Sequence, residues 1–332
     1  LYQAYLDARK GKRKKRACHR FEINLGANLD ALHREIHAGT YRPRPYHKFL
    51  VHEPKERVIH APAFRDIVVQ HAIYRVIYEI YNRTFASTSF ACRKGYGTHR
   101  ASDYFQHALG RYDDSRYTLK LDIRKFFYSI DRDILRILIE RKIKDRRLID
   151  IMMLFAYQDA PTGIPIGNLL SQLYALVYLN PLDQFVKRVL GVRHYVRYVD
   201  DFILFGLTLD QCREYRERII SFLESALRLR LSKSTIQRIR RGANFVGYRT
   251  WKGCRLIRKH SLHRFRRSLK RSEWESVISL LGHASRTHSL GHMIKTLSEA
   301  VHAKNLQIPK NFRRLHHLAA ARRGARRAVR AG

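Results

Sequence analysis

Apolar residues recur with a helical period over most of the chain, broken by short stretches where the period falls to two. Ile67, Val68, Ala72, Ile73, Val76, Ile77 and Ile80 form one stripe, which predicts a helix starting at Asp66. Residues 1–20 and Phe21–Ala38 carry the same period, and Gly39 closes the second run. The carboxylate of Asp131 suits an N-cap for the run containing Ile134, Leu135 and Leu138. From Leu169 the pattern is apolar all round, so a buried helix is expected, ending near Asn180-Pro181. Residues 208–230 read as an amphipathic helix, and the chain beyond Ser261 is helical and basic. Residues 151–160 have no clean period.

Strands are expected between these helices. Lys48 to Pro62 reads as a hairpin whose charged turn carries Lys55 and Arg57. It follows Tyr41-Arg42-Pro43-Arg44-Pro45-Tyr46, where each proline biases its predecessor toward extended backbone. Leu119–Ile123 alternates so that Asp122 faces away from Leu121 and Ile123. Tyr195 to Phe205 places Asp200 and Asp201 among β-branched and aromatic residues, which predicts a strand, a two-residue Asp-Asp reversal and a second strand. Leu229–Ile239 is a strand pair or a loop holding Lys233, and Asn244–Trp251 an aromatic hairpin. Phe90–Thr98 and Thr162–Asn168 are glycine-bearing loops that each open a helix. The sum is an α+β chain.

Composition narrows the partners. Of 332 residues, 45% are hydrophobic, enough for a substantial core. Lys and Arg number 66 against 28 Asp and Glu, a net charge of +38, so a polyanion is the expected partner. The basic residues are spread through the chain instead of lining one amphipathic helix, which favours nucleic acid over a membrane surface. Lys10–Arg16 and the C-terminal arginines from Arg313 to Arg330 read as solvated charge or as contacts to RNA phosphates. Four cysteines without a CxxC pair argue against structural zinc and for a reducing, cytoplasmic setting.

Unpaired carboxylates are costly in a half-buried sheet, and in so basic a chain a divalent metal is the readiest reason for them. Tyr198-Val199-Asp200-Asp201 alone is more readily a plain hairpin turn. A second strand-borne carboxylate, Asp122, shifts the balance. Phosphoryl transfer to a 3′-hydroxyl uses two ions roughly 3.5–4 Å apart, held by carboxylates converging from different strands.

The ordered blocks resemble the reverse transcriptases. Leu121-Asp122-Ile123-Arg124-Lys125-Phe126-Phe127 is similar to the family's first metal motif, and Tyr198–Asp201 to its YxDD motif. Phe245-Val246-Gly247-Tyr248 is similar to its primer grip, while Arg57–Gln70 and Phe90–Thr98 resemble fingers blocks of group II intron-related enzymes. Ile164-Pro165-Ile166-Gly167-Asn168, where most relatives carry Gln-Gly, resembles the enzymes of diversity-generating retroelements; Leu170 departs from the Thr commoner there.

The resemblance implies a right-hand polymerase. Fingers and a basic extension would occupy 1–115, a palm 116–250 with inserted fingers helices at about 135–180, and a helical thumb with a basic tail 251–332. It implies RNA-directed DNA synthesis, copying a template-repeat RNA into cDNA with errors at template adenines. Two Mg²⁺ ions, with Mn²⁺ as substitute, would bind Asp122, Asp200, Asp201 and the Ile123 backbone. Lys233 would act near the departing pyrophosphate. Lys55, Arg57, Phe126, Phe127, Ile166 and Gly167 would contact the dNTP, with Phe127 as steric gate and Ile166 setting fidelity. Implied partners are template RNA, cDNA, dNTPs and a small basic pentameric accessory variability determinant protein. A retron or group II intron enzyme, or an inactive RNA-binding scaffold, are the rival expectations.

Overall fold

The computed structural model describes residues 1–52, 56–303 and 308–309. In chain order it runs α1 (Tyr2–Arg9), α2 (Arg16–Ile23), α3 (Leu25–His37), the hairpin β1 (His47–Val51) and β2 (Arg57–Ala61), α4 (Phe64–Asn82) and α5 (Thr98–Leu109). Then follow β3 (Tyr117–Ile123), the single turn α6 (Phe126–Ser129), α7 (Arg132–Glu140), α8 (Arg146–Ala156) and α9 (Leu169–Gln184), which continues into a π-helical turn at Phe185–Val189. The hairpin partners β4 (His194–Tyr198) and β5 (Asp201–Leu207) precede α10 (Leu209–Leu227) and β6 (Leu231–Arg238). The chain continues through β7 (Ala243–Phe245), β8 (Tyr248–Thr250), β9 (Arg255–Ile257), α11 (Lys259–Lys270), α12 (Trp274–Ala284) and α13 (Ser289–Ala303). Among the described residues no helix is long and apolar enough to cross a membrane.

Two compact units result. The first comprises residues 1–97, 119–204 and 209–235. Its centre is α9, whose Leu170, Leu173, Tyr174, Leu176, Tyr178 and Leu179 are buried, and which packs against α4, α7, α8 and α10. A helix covered on several sides needs no polar face, as its composition predicts. A four-stranded sheet in the order β4-β5-β3-β6 carries the acidic residues. Asp131 caps α7, accepting from the amides of Asp133 (2.9 Å) and Ile134 (3.1 Å).

The second unit comprises 98–118, 205–208 and the described residues from 236 on. An antiparallel sheet in the order β7-β8-β9 packs on α5 and on the α11–α13 helices. Tyr248, Phe265, Trp274, Val277, Leu281, Met293 and Leu297 form the core of that helical part. Arg255 is held by Ser102 (2.6 Å) and Asp103 (2.7 Å), tying β9 to α5.

Several local expectations change. The basic run Lys10–Lys15 is a turn between α1 and α2, broken at Gly11 with φ +69°, so residues 1–20 are not one helix. Helix α4 begins at Phe64, and Asp66 is buried in its first turn, accepting from the Tyr41 hydroxyl (2.7 Å) and the Arg44 amide (2.9 Å). Residues 146–156 form one helix, and 231–238 a single strand. Helix α9 does not end at Pro181 but runs to Gln184. The lost proline N–H is outweighed by burial of Leu182 and by Asp183, which is fixed by a buried partner described below. The basic tail from Arg313 lies outside the described residues.

Candidate active site

The reversal between β4 and β5 is Val199-Asp200, one residue earlier than the pattern predicts, and Asp201 already begins β5. Val199 sits at φ +57°, a left-handed conformation in which a β-branched side chain is strained. Such a residue persists only when its surroundings hold it, and here they do. Arg197 Nη1 donates to the Val199 carbonyl at 3.0 Å. The same guanidinium forms an ion pair with Asp183, Nε to Oδ1 at 2.7 Å, and both side chains are fully buried. Tyr195 adds its hydroxyl to Asp183 Oδ1 at 2.8 Å. Burial opposes the charge of Arg197, but the Asp183 carboxylate overcomes it and raises the pKa above the ordinary arginine value. The strand itself is pinned by Arg197 N–H to Thr88 O and Phe90 N–H to Arg197 O, each 3.0 Å.

Asp122 lies on the half-exposed face of β3 with Lys120, while Leu119, Leu121 and Ile123 are buried. The Ile123 amide donates to the Asp200 carbonyl at 3.2 Å, so the two acidic segments are stitched through backbone. Asp200 is half-buried, and burial, then repulsion from Asp122 and from Asp201, pushes its carboxyl up to about 6 against the attraction of Arg57. That balance places Asp122, Asp201 and Arg57 within electrostatic reach of Asp200. The three carboxylates are not equivalent, however. Asp201 pairs with Lys120 Nζ at 2.6 Å, and Asp122 accepts from the hydroxyl of Ser232 on β6.

Among the described residues no three His, Cys, Asp or Glu side chains converge closely enough to enclose a metal ion by themselves. The donor set nevertheless fits a hard divalent cation, which binds one or two carboxylates and takes its other ligands from water and substrate phosphates. A half-buried carboxyl pushed up to about 6 by burial, and further by two like charges, is a site short of positive charge.

The loop before α9 is laced to this centre. Ile164 N–H donates to Phe127 O (2.9 Å), Gly163 N–H to Ile130 O (2.7 Å), and His60 N–H to Ile166 O (2.7 Å). Gly167 has φ +117°, and a Cβ there would meet the His60 carbonyl oxygen at 2.9 Å. Gln70 accepts from the Leu169 amide at 3.0 Å and donates to Asn168 Oδ1 at 3.1 Å, which holds the start of α9 in place of a side-chain cap from Asn168. Ile166 and Phe127 are half-buried, and Gly167 is exposed. Phe126 is only 2% exposed and packs on Tyr178; it supports Phe127 and offers no ring surface to a nucleotide. Arg57 starts β2 opposite Val51 and is exposed, as is Lys233 on β6. Lys55 lies outside the described residues.

Arg93, in the glycine-bearing loop at 90–98, clamps its own loop by donating to Ala86 O (2.7 Å) and Ser89 O (3.0 Å) and covering the Tyr96 ring at 4.0 Å. In the second unit, Phe245, Val246, Gly247 and Tyr248 form the β7–β8 turn. Val246 has φ +41° and Gly247 φ +90°. The His283 ring stacks on Tyr248 at 4.4 Å and fills the space a Cβ on Gly247 would need.

Sequence reasoning overlooked Asp183, Arg197, Lys120 and Ser232. A signal existed for the first two: an arginine inside the apolar run Tyr195–Phe205 demands a buried acid.

The sequence pattern of the family described as "Reverse transcriptase (RNA-dependent DNA polymerase)" matches residues 52–250, well over half of the chain. The chain belongs to the reverse transcriptase family. Protein YkfC of Escherichia coli (strain K12) is 25% identical over 287 residues, covering 72% of this reverse transcriptase and 74% of YkfC. The group II intron-encoded protein LtrA of Lactococcus lactis subsp. cremoris is 25% identical over 286 residues, covering 63% of the chain and 47% of LtrA. The chain thus spans about half the length of that intron-encoded relative. Among solved structures, apo telomerase from Candida Tropicalis aligns over 84% of this chain and 63% of its own at 12% identity, with a TM-score of 0.52. The likeness bears on fold alone, and the architecture is that of a right-hand polymerase, α+β, with helices packed around antiparallel sheets.

Proposed function

We propose that the protein is an RNA-directed DNA polymerase that makes cDNA in a diversity-generating retroelement, with errors directed to template adenines. The observation that carries the polymerase reading is the apposition of Asp122 and Asp200, with Asp200 raised to about 6 and Arg57 in electrostatic reach. In this reading Asp122, Asp200 and the Ile123 carbonyl would hold divalent metal, which would supply activation of the attacking 3′-oxygen and charge neutralisation of the leaving phosphates. Asp201 serves indirectly, through its pair with Lys120. Arg57 and Lys55 receive the triphosphate, Lys233 meets the pyrophosphate, and Phe127 lies beneath the sugar and excludes a 2′-hydroxyl. Residues 245–248 grip the primer. In the same reading residues 1–115 form fingers and basic extension, 116–250 the palm with inserted fingers helices at about 135–180, and 251–332 the thumb and basic tail.

The error-prone part of the reading rests on Ile166. Its carbonyl accepts from the His60 amide, and in this reading its alkyl side chain takes the place of the amide that most relatives carry. Polar groups reject mismatched partners more sharply than apolar shape does. The basic accessory protein and the RNA flanking the template belong to the same reading, and a chain of +38 suits an RNA-rich particle.

Primer extension on RNA by wild type and Asp200→Asn tests the polymerase: equal extension by both sinks the metal assignment. A second reading, faithful copying of an intron-like RNA, is favoured by the similarity to LtrA. Sequencing cDNA from wild type and Ile166→Gln separates the two. Adenine-clustered errors that fall in the variant support the first, and faithful cDNA from both supports the second.

A further inference from the structure

Behind the Ile166-Gly167 loop lies an open cavity of about 550 Å³, which none of the assignments above uses. Its volume is in the range of small-ligand sites. Arg42, Arg44, Tyr46, Lys48, His60 and Tyr157 line it. Three cations and three aromatic rings in one concavity are the chemistry of single-stranded nucleic acid: phosphates meet the cations and bases stack on the rings.

The walls are held before any ligand arrives. The Tyr46 hydroxyl accepts from Asn168 Nδ2 at 2.7 Å, and the Tyr46 and His60 rings meet edge to face at 5.7 Å. Tyr157 is 60% exposed, an unusual position for a large ring, with the Arg132 guanidinium 5.4 Å from its centroid. Arg132 also donates to the carbonyls of Ala160 (2.6 Å) and Gly163 (3.1 Å), which fastens the backbone following Tyr157. His60 is 7% exposed, so its ring serves as a fixed wall of the cavity beside Tyr46. Burial and the nearby Lys48 hold His60 below its ordinary pKa, which favours its neutral form. Among the described residues lining it the one acid is Asp159, 3.5 Å from Lys48, against Arg42, Arg44 and Lys48.

Position decides which nucleotide. The His60 amide holds the Ile166 carbonyl at 2.7 Å, so one backbone layer separates the cavity from the loop that the polymerase reading sets against the nascent pair. We propose that the cavity receives the template nucleotide immediately 5′ of the one being copied, its base on Tyr157 and its phosphate between Arg42 and Arg44. The inference rests on that polymerase reading and adds a site that orders the incoming template before it is read.

The test compares two primer–RNA templates, one whose 5′ overhang ends at the templating nucleotide and one a single nucleotide longer. Wild type should bind the longer roughly tenfold more tightly, the scale of one stacked base. Tyr157→Ala should abolish the difference, and Tyr157→Phe should keep it. With 4-thiouridine at the added position, near-ultraviolet crosslinks should map to peptides containing 42–48 or 157–159. Equal affinities for both templates in wild type, or crosslinks confined to other peptides, overturn the site. Competition of the overhang effect by free AMP would also overturn it, by marking a mononucleotide pocket. Absence of primer extension by wild type on either template strikes the polymerase reading instead, a result separate from the binding difference.

Discussion

Arg197 offers the sharpest test of how the acidic turn is held. Replacing it with Met leaves Asp183 fully buried, with the Tyr195 hydroxyl at 2.8 Å but no counter-charge. Removing one partner of a fully buried pair costs about 3–5 kcal/mol. At roughly 2–4 °C per kcal/mol, the melting temperature should fall by about 6–20 °C. The substitution also removes the 3.0 Å donor to the Val199 carbonyl, the bond that holds a β-branched residue at φ +57°. The double variant Arg197→Met, Asp183→Leu deletes both charges, and such replacements are often neutral or stabilising. Its melting temperature should therefore return to near the wild-type value, while single-nucleotide primer extension stays slow because Val199 and Asp200 remain unanchored. Circular dichroism melts and single-turnover extension read the two effects separately. A single variant that melts within about 2 °C of wild type, or a double variant restored in both stability and rate, refutes the reasoning.

The raised Asp200 carboxyl gives a pH signature. Its folded pKa of about 6 exceeds the ordinary 3.8, so the folded state binds this proton more tightly than the unfolded one. The stability from this group is full below about pH 4 and is lost as pH rises through about 6, on the order of 3 kcal/mol. Millimolar Mg²⁺ should thus raise the melting temperature at about pH 7.5 and much less at about pH 5, where protons compete; a pH-independent Mg²⁺ effect contradicts this. Gly167→Ala puts a Cβ at φ +117° and 2.9 Å from the His60 carbonyl oxygen, and should cost roughly 1–3 kcal/mol and slow extension on RNA; unaltered melting and rate would show that the loop yields freely. Phe127→Ala should raise ribonucleotide incorporation at least about tenfold relative to dNTP, as expected on losing a steric rejection of 1–3 kcal/mol; unchanged sugar selectivity would reduce Phe127 to a packing residue.

Much of the fold was legible because local pattern and tertiary role agree. The Asp131 cap, the all-apolar α9 and the alternation around Asp122 are each fixed by residues a few positions apart. Pattern failed where distant groups intervened. Pro181 predicts a helix end, yet the buried pair of Asp183 with Arg197 and the packing of Leu182 carry α9 onward. Asp200-Asp201 predicts the reversal, yet Arg197 and the Ile123 amide select Val199-Asp200. Phe126 and Phe127 are equivalent in sequence, and only burial against Tyr178 separates the supporting ring from the half-exposed one.

The sequence by itself determined the family blocks, the acidic residues and their strands, and the demand for a polyanionic partner, since these rest on residue type, short-range periodicity and net charge. Only the tertiary structure decided which carboxylate is raised, because that depends on burial and on Asp122 and Asp201 approaching Asp200 through space. It likewise decided that Asp201 turns to Lys120, and that Arg42, Arg44, Tyr46, Lys48, His60 and Tyr157 line one cavity. Such contacts join segments far apart in the chain, and no local pattern encodes their distance.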